Sequence, residues 1–101
     1  MSIEKHVSAD QATVTIRIDG MFDLSVQSKF RAAYEESGSS KKYVLDMRDT
    51  EYMDSAAFGM LLVFRDHIGG DNSEITIINA SDDIVRSFKM LHFDRMFHLQ
   101  S

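Results

Sequence analysis

Tyr43-Val44-Leu45-Asp46-Met47, then Arg48-Asp49-Thr50-Glu51, then Tyr52-Met53-Asp54-Ser55-Ala56-Ala57-Phe58-Gly59-Met60 is the stretch on which the fold turns. Its first five residues are a short apolar run of buried-strand type. Its last part opens a helix that runs from Ser55 to Ile68 and is stopped by Gly69-Gly70. A strand followed by a helix needs a crossover to reach its next strand, so a parallel pair is expected. Either Asp54 or Ser55 serves as the helix cap. A Ser at this place also sets a hydroxyl where chemistry on one atom changes a surface.

Outward from this unit the pattern repeats. Ala12 to Ile18 alternates small or apolar with polar side chains and is rich in β-branched residues, the mark of a half-buried strand. Ile3 to Val7 is a weaker strand before it, with Ala9-Asp10-Gln11 as the hairpin turn. After Asp19-Gly20, Val26, Phe30 and Ala33 recur at helical spacing. Asp23 or Ser25 caps that helix, which ends near Gly38 and is closed by Gly38-Ser39-Ser40. Past the Asp71-Asn72-Ser73 turn, Glu74 to Asn79 is a strand. Ser81 caps a third helix carrying Ile84, Phe88 and Leu91, with Asp82-Asp83 favouring its N-terminus by charge. Phe97-His98-Leu99 adds a last short strand. The predicted order is β, β, α, β, α, β, α, β. This is one α/β domain over residues 1–101, with a mixed, mostly parallel sheet of four to five strands and about three helices packed on it.

Composition narrows the function. At 101 residues the chain suits one core and no cleft between two domains. The net charge of −5, without a basic stripe, argues against nucleic-acid binding. Absence of Cys excludes disulfides and thiol catalysis and fits a reducing compartment. Charge in Met1-Ser2-Ile3-Glu4-Lys5 does not suit a signal peptide, and the longest apolar run, Met60 to Phe64, is too short to span a bilayer, so a cytoplasmic protein with no membrane insertion is expected. His6, His67, His92 and His98 are scattered, which argues against a metal site. Gly69-Gly70 follows a helix where a phosphate loop would open one. The surroundings of Ser55 are not a Gly-x-Ser-x-Gly elbow, so no catalytic residue and no cofactor are expected. Met47, Met60, Met90 and Met96 read as core fillers.

A rotation of about 100° per helical residue gathers Ala57, Met60, Leu61, Phe64 and Ile68 into a core stripe. Ser55, Gly59, Leu62 and Asp66 fall opposite, flanked by Phe58 and Val63. Phe58 and Leu62, with Met53 beside Ser55, are therefore expected to form an apolar contact patch. Gly59 costs the helix roughly 1 kcal/mol relative to Ala and offers open space next to the Ser hydroxyl.

These residues resemble the STAS domain, and within it the bacterial anti-sigma factor antagonists of partner-switching systems. The resemblance rests on Val44-Leu45-Asp46-Met47 followed by Asp54-Ser55-Ala56-Ala57-Phe58-Gly59, with support from Gly20-Met21-Phe22-Asp23-Leu24, which is similar to the family's Gly-x-x-Asp loop. It implies that Ser55 is phosphorylated by a GHKL-type serine kinase that is also the anti-sigma or regulatory partner, and that a PP2C-type phosphatase reverses this. It implies, too, that the unmodified form binds the kinase and frees its client, with Asp54 and Asp23 in the binding surface. The chain departs from the family at Ala56 and Ala57, where Ser or Thr and then Gly are common, which leaves Ser55 as the sole acceptor of the loop. Other STAS domains are constitutive accessory subunits, for example of lipid-transport ATPases, and the Asp-Ser pair leans toward the switch.

Overall fold

A computed structural model describes residues 2–37 and 41–100. Its elements are β1 (Ile3–Val7), β2 (Thr13–Ile18), β3 (Gly20–Phe22), α1 (Gln27–Glu35), β4 (Lys42–Asp46), β5 (Thr50–Met53), α2 (Ser55–His67), β6 (Glu74–Ile78), α3 (Asp82–Met90) and β7 (His98–Gln100). Five strands form the main sheet in the order β1-β2-β4-β6-β7. The opening hairpin makes β1 and β2 antiparallel, and every other pair in that sheet is parallel. The α/β class, the mixed sheet and the three helices are as the sequence predicts. The proposed Gly38-Ser39-Ser40 closure of α1 lies outside the described residues.

Alternation decides which face is covered. Val14, Tyr43 and Ile75 lie in one cross-strand row, and Ile16, Leu45 and Ile77 in another, all buried. The intervening Thr15, Val44 and Thr76 stay half-exposed. Burial of one face against helices with the other toward water is what this period-two pattern demands. The predicted α2 stripe of Ala57, Met60, Leu61, Phe64 and Ile68 is buried throughout. Phe30 and Tyr34 from α1 meet Phe64 at ring distances of 5.3 and 4.9 Å, which ties α1 to α2.

The sequence reading missed two short strands. Gly20–Phe22 and Thr50–Met53 pair in parallel as a separate ribbon. Gly20 begins the ribbon at φ +79°, a backbone state that disfavours a side chain, and its N–H donates to Asp49 O at 2.8 Å. Buried Thr50 donates its hydroxyl to Ile18 O at 2.6 Å, fixing the ribbon to the end of β2.

Two side chains depart from expectation on α3. Leu91, expected on the helix with Ile84 and Phe88, caps its C-terminus and is 51% exposed, because the helix ends one residue before it. Met90, read as a core filler, is 73% exposed.

Candidate functional site

The ribbon explains why two distant motifs meet. Phe22 and Met53 are register partners, so the residues that follow them, Asp23 and Asp54, leave the ribbon side by side. The Asp54 N–H also donates to Phe22 O at 3.4 Å. Each carboxylate then caps a helical segment. Asp54 Oδ1 accepts from Ala57 N at 3.0 Å at the start of α2. Asp23 Oδ1 accepts from Ser25 N at 3.0 Å and from the Ser25 hydroxyl, at a single 3-10 turn (Leu24–Val26) that leads into α1. Asp23 rather than Ser25 is thus the cap, since it alone precedes the turn with extended backbone.

Asp54, not Ser55, caps α2, and this frees the serine. Ser55 occupies the first helical position and is exposed, and among the described residues its hydroxyl has no hydrogen-bond partner. Gly59, one turn on, is exposed, and a Cβ placed there would meet nothing within 4 Å. The open space anticipated beside the serine is present. Ala57 is fully buried, so the methyl that stands where a Gly is common is absorbed by the core.

The contact patch is partly different from the one expected. Phe58 is only 7% exposed and packs its ring on Phe88 and Phe93 at 5.2 and 5.1 Å. It is a core residue, drawn inward because α3 and the following turn fold over the flank of α2. Met53 is half-buried against the core. Leu62 is exposed, as expected.

In place of Phe58, a groove of about 330 Å³ runs between α1 and α2. Ala56, Gly59, Met60 and Val63 of α2 form one wall, and Leu24, Phe30 and Tyr34 line the other side. Its one charged lining residue is Arg31, which pairs with Glu35 at 2.9 Å. Burial pushes the Tyr34 hydroxyl above the ordinary tyrosine range. Leu24 and Val63, both exposed by about three-fifths, form the rim. Met21 and Tyr52, register partners in the ribbon, are each half-exposed.

Leu24, Met21 and Tyr52 are the residues that sequence reasoning missed here. The apolar pair Tyr52-Met53 just before Asp54 was the available signal, hidden because the ribbon is too short for a period to show. Among the described residues no group of three or more His, Asp or Glu is placed to hold a metal ion. No described helix is long and apolar enough to cross a membrane.

Over residues 6–100 the chain matches the family model described as "Mlab, STAS domain". A STAS-domain containing protein of Pseudomonas aeruginosa (strain UCBPP-PA14) is 39% identical over 100 residues, covering 98% of this chain and 99% of that protein. The solved anti-sigma factor antagonist SpoIIAA in its unphosphorylated form superposes with a TM-score of 0.79 at 17% identity, over 98% of this chain and 88% of that one. The Bacillus SpoIIAA in its phosphorylated form gives 0.66 at 15% identity, over 98% and 91%. A sulfate transporter family protein from Wolinella succinogenes gives 0.73 at 17% identity, over 91% and 75%. At these identities the structural likeness speaks to the fold.

Proposed function

This chain belongs to the STAS-domain family, and we propose that within it the protein is an anti-sigma factor antagonist, a cytoplasmic partner switch without catalytic activity of its own. Unphosphorylated, it binds a GHKL-type serine kinase that acts as the anti-sigma or regulatory partner, and the kinase's client is released. Phosphorylation of Ser55 weakens that binding, and a PP2C-type phosphatase restores it. The observation that carries this reading is the division of labour at the start of α2. Asp54 supplies the cap, so Ser55 offers an exposed hydroxyl beside the open space at Gly59 and the apolar groove.

The physics of the modification follows from its place. A phosphate on Ser55 adds about −1.5 to −2 charges. The free N–H groups and dipole of α2 favour it, while the adjacent Asp54 carboxylate opposes it. These effects offset each other inside the domain. The penalty therefore falls on the docked partner, which must bury the groove rim next to a new dianion. A loss of about 3 kcal/mol would mean roughly hundredfold weaker binding, enough to release a partner.

Intact-mass and phosphopeptide analysis of the protein from its own cells, across growth conditions, tests the modification. A phosphorylated fraction on Ser55 that changes with condition is expected. In parallel, Ser55→Ala should stay bound to the kinase and Ser55→Asp should bind about a hundredfold less tightly, both folded. Equal affinity for the two sinks the switch. A second reading, a constitutive accessory subunit using the same surface, draws on the likeness to a sulfate transporter family protein. Absence of phosphate under every condition would favour it.

A further inference from the structure

The β3–β5 ribbon is anchored twice at its root. Asp19, which precedes β3, and Asp49, which precedes β5, are bridged by one guanidinium. Arg17 Nε donates to Asp19 Oδ1 at 3.1 Å, and its Nη2 donates to Asp49 Oδ2. Beneath this exposed clamp, Thr50, the register partner of Gly20, donates its hydroxyl to Ile18 O at 2.6 Å. The β2–β4 register ends at Arg17 and Asp46, so the Ile18 carbonyl lies one residue past that ladder. Tyrosines aside, Thr50 is the only polar residue buried among the described residues. A Val has the same shape and fills the same space. What the hydroxyl adds is a directional bond between ribbon and sheet.

At its tip the ribbon releases Asp23 and Asp54, the residues that follow Phe22 and Met53. Three β3 residues at about 3.3 Å each put the tip roughly 10 Å from the root. A two-stranded pair is marginal by itself in water, and this one has strands of three and four residues. Its direction is therefore set where it is anchored. We propose that Thr50 is a positioning residue for the switch, its hydroxyl aiming the ribbon so that Asp23 and Asp54 emerge side by side and Asp54 holds the cap of α2. Arg17 supports it from outside, more weakly, because its ion pairs are exposed and screened by salt. The consequence for partner binding rests on the phosphoswitch reading, whereas the aiming of the ribbon can be measured without any partner.

Amide hydrogen exchange on the full chain is that measurement. The Asp54 N–H, bonded to Phe22 O, and the Ala57 N–H, bonded to Asp54 Oδ1, report the tip, and the amides of β4 and β6 report the sheet. Thr50→Val should raise exchange at the tip about tenfold more than in the sheet. Thr50→Ser, which restores the hydroxyl, should bring the ratio of tip to sheet back to within about threefold of wild type. Arg17→Gln, a surface change that leaves the core intact, should raise the tip selectively by about threefold and decides the matter if Thr50→Val does not fold. A rise shared equally by tip and sheet, a tip that does not respond, or a Thr50→Ser variant as loose as Thr50→Val would each overturn the proposal. With the kinase recovered on Ser55→Ala, Thr50→Val should bind it about tenfold less tightly and Thr50→Ser nearly as well as wild type. A loosened tip with unchanged affinity also overturns the positioning role. Failure to find phosphate on Ser55 would instead sink the switch and leave the exchange result standing.

Discussion

Two serines stand at two helix starts, one residue apart in role. Ser81 precedes α3 with extended backbone, and its hydroxyl accepts from Ile84 N at 3.3 Å. Ser55 follows Asp54 into α2 and leaves the cap to the carboxylate. The same residue type is structural in one place and chemically available in the other, and what decides the cap is whether an Asp comes just before it. The surroundings agree with this division. The start of α3 is flanked by Asp82 and Asp83, whose charges favour the helix end. The start of α2 has no acidic residue in its first turn and opens onto Gly59 and the groove.

The largest effect expected is on the ring that joins the two helices. Phe58 of α2 packs on Phe88 of α3 at 5.2 Å, so Phe58→Ala should cost about 3–5 kcal/mol in denaturant unfolding. Leu62→Ala, on the same helix but exposed, should stay within about 0.5 kcal/mol. Equal costs would show that Phe58 belongs to the surface after all. Next in size are the caps. Ser81→Ala and Asp54→Ala should each cost about 1 kcal/mol. A Ser81→Ala variant as stable as wild type would remove one side of the comparison.

Gly59→Ala has the opposite sign. Gly59 lies in regular helix with open space at its Cβ position, so Ala there should stabilise the domain by about 0.5–1 kcal/mol, read from the same unfolding curves. Because the added methyl narrows the groove beside Ser55, partner affinity should fall as stability rises. Stability and affinity moving together would mean that the glycine serves the fold and not the surface.

The main elements were legible because their signals are long or strongly periodic. The alternation in Thr13–Ile18, the stripe from Ala57 to Ile68 and the Ser81 cap each left a pattern of several residues. The ribbon was not legible. Three residues of β3 and four of β5 cannot show a period, and the turn signal of Asp19-Gly20 looked like simple punctuation. Phe58 was misplaced for a related reason. Helical rotation assigns a face relative to the helix axis, and it cannot show that α3 and Phe93 fold over the flank and widen the buried sector. The arrangement at the start of α2, with Asp54, Ser55 and the open space at Gly59, was thus legible from spacing, while the exposure of Phe58 was misread. Met21 and Tyr52 become neighbours only through pairing between distant segments.

The smallest effect bears most directly on the two serines. Ser55→Ala should change stability by less than about 0.5 kcal/mol, since Asp54 makes the cap bond. In the Asp54→Ala background the outcome should differ. Ser55 is then the next residue able to cap, with Phe58 N in the position that Ala57 N held, and α2 would begin one residue later. Removing the hydroxyl from that background should cost about 1 kcal/mol. The double-mutant cycle would then show a coupling between neighbours instead of additivity. Such a coupling says that the hydroxyl of Ser55 is kept out of the cap by Asp54, and that the acid's service to the site is to hold its serine free. A loss of about 1 kcal/mol from Ser55→Ala alone would put Ser55 in the same class as Ser81 and collapse the distinction between the two helix starts.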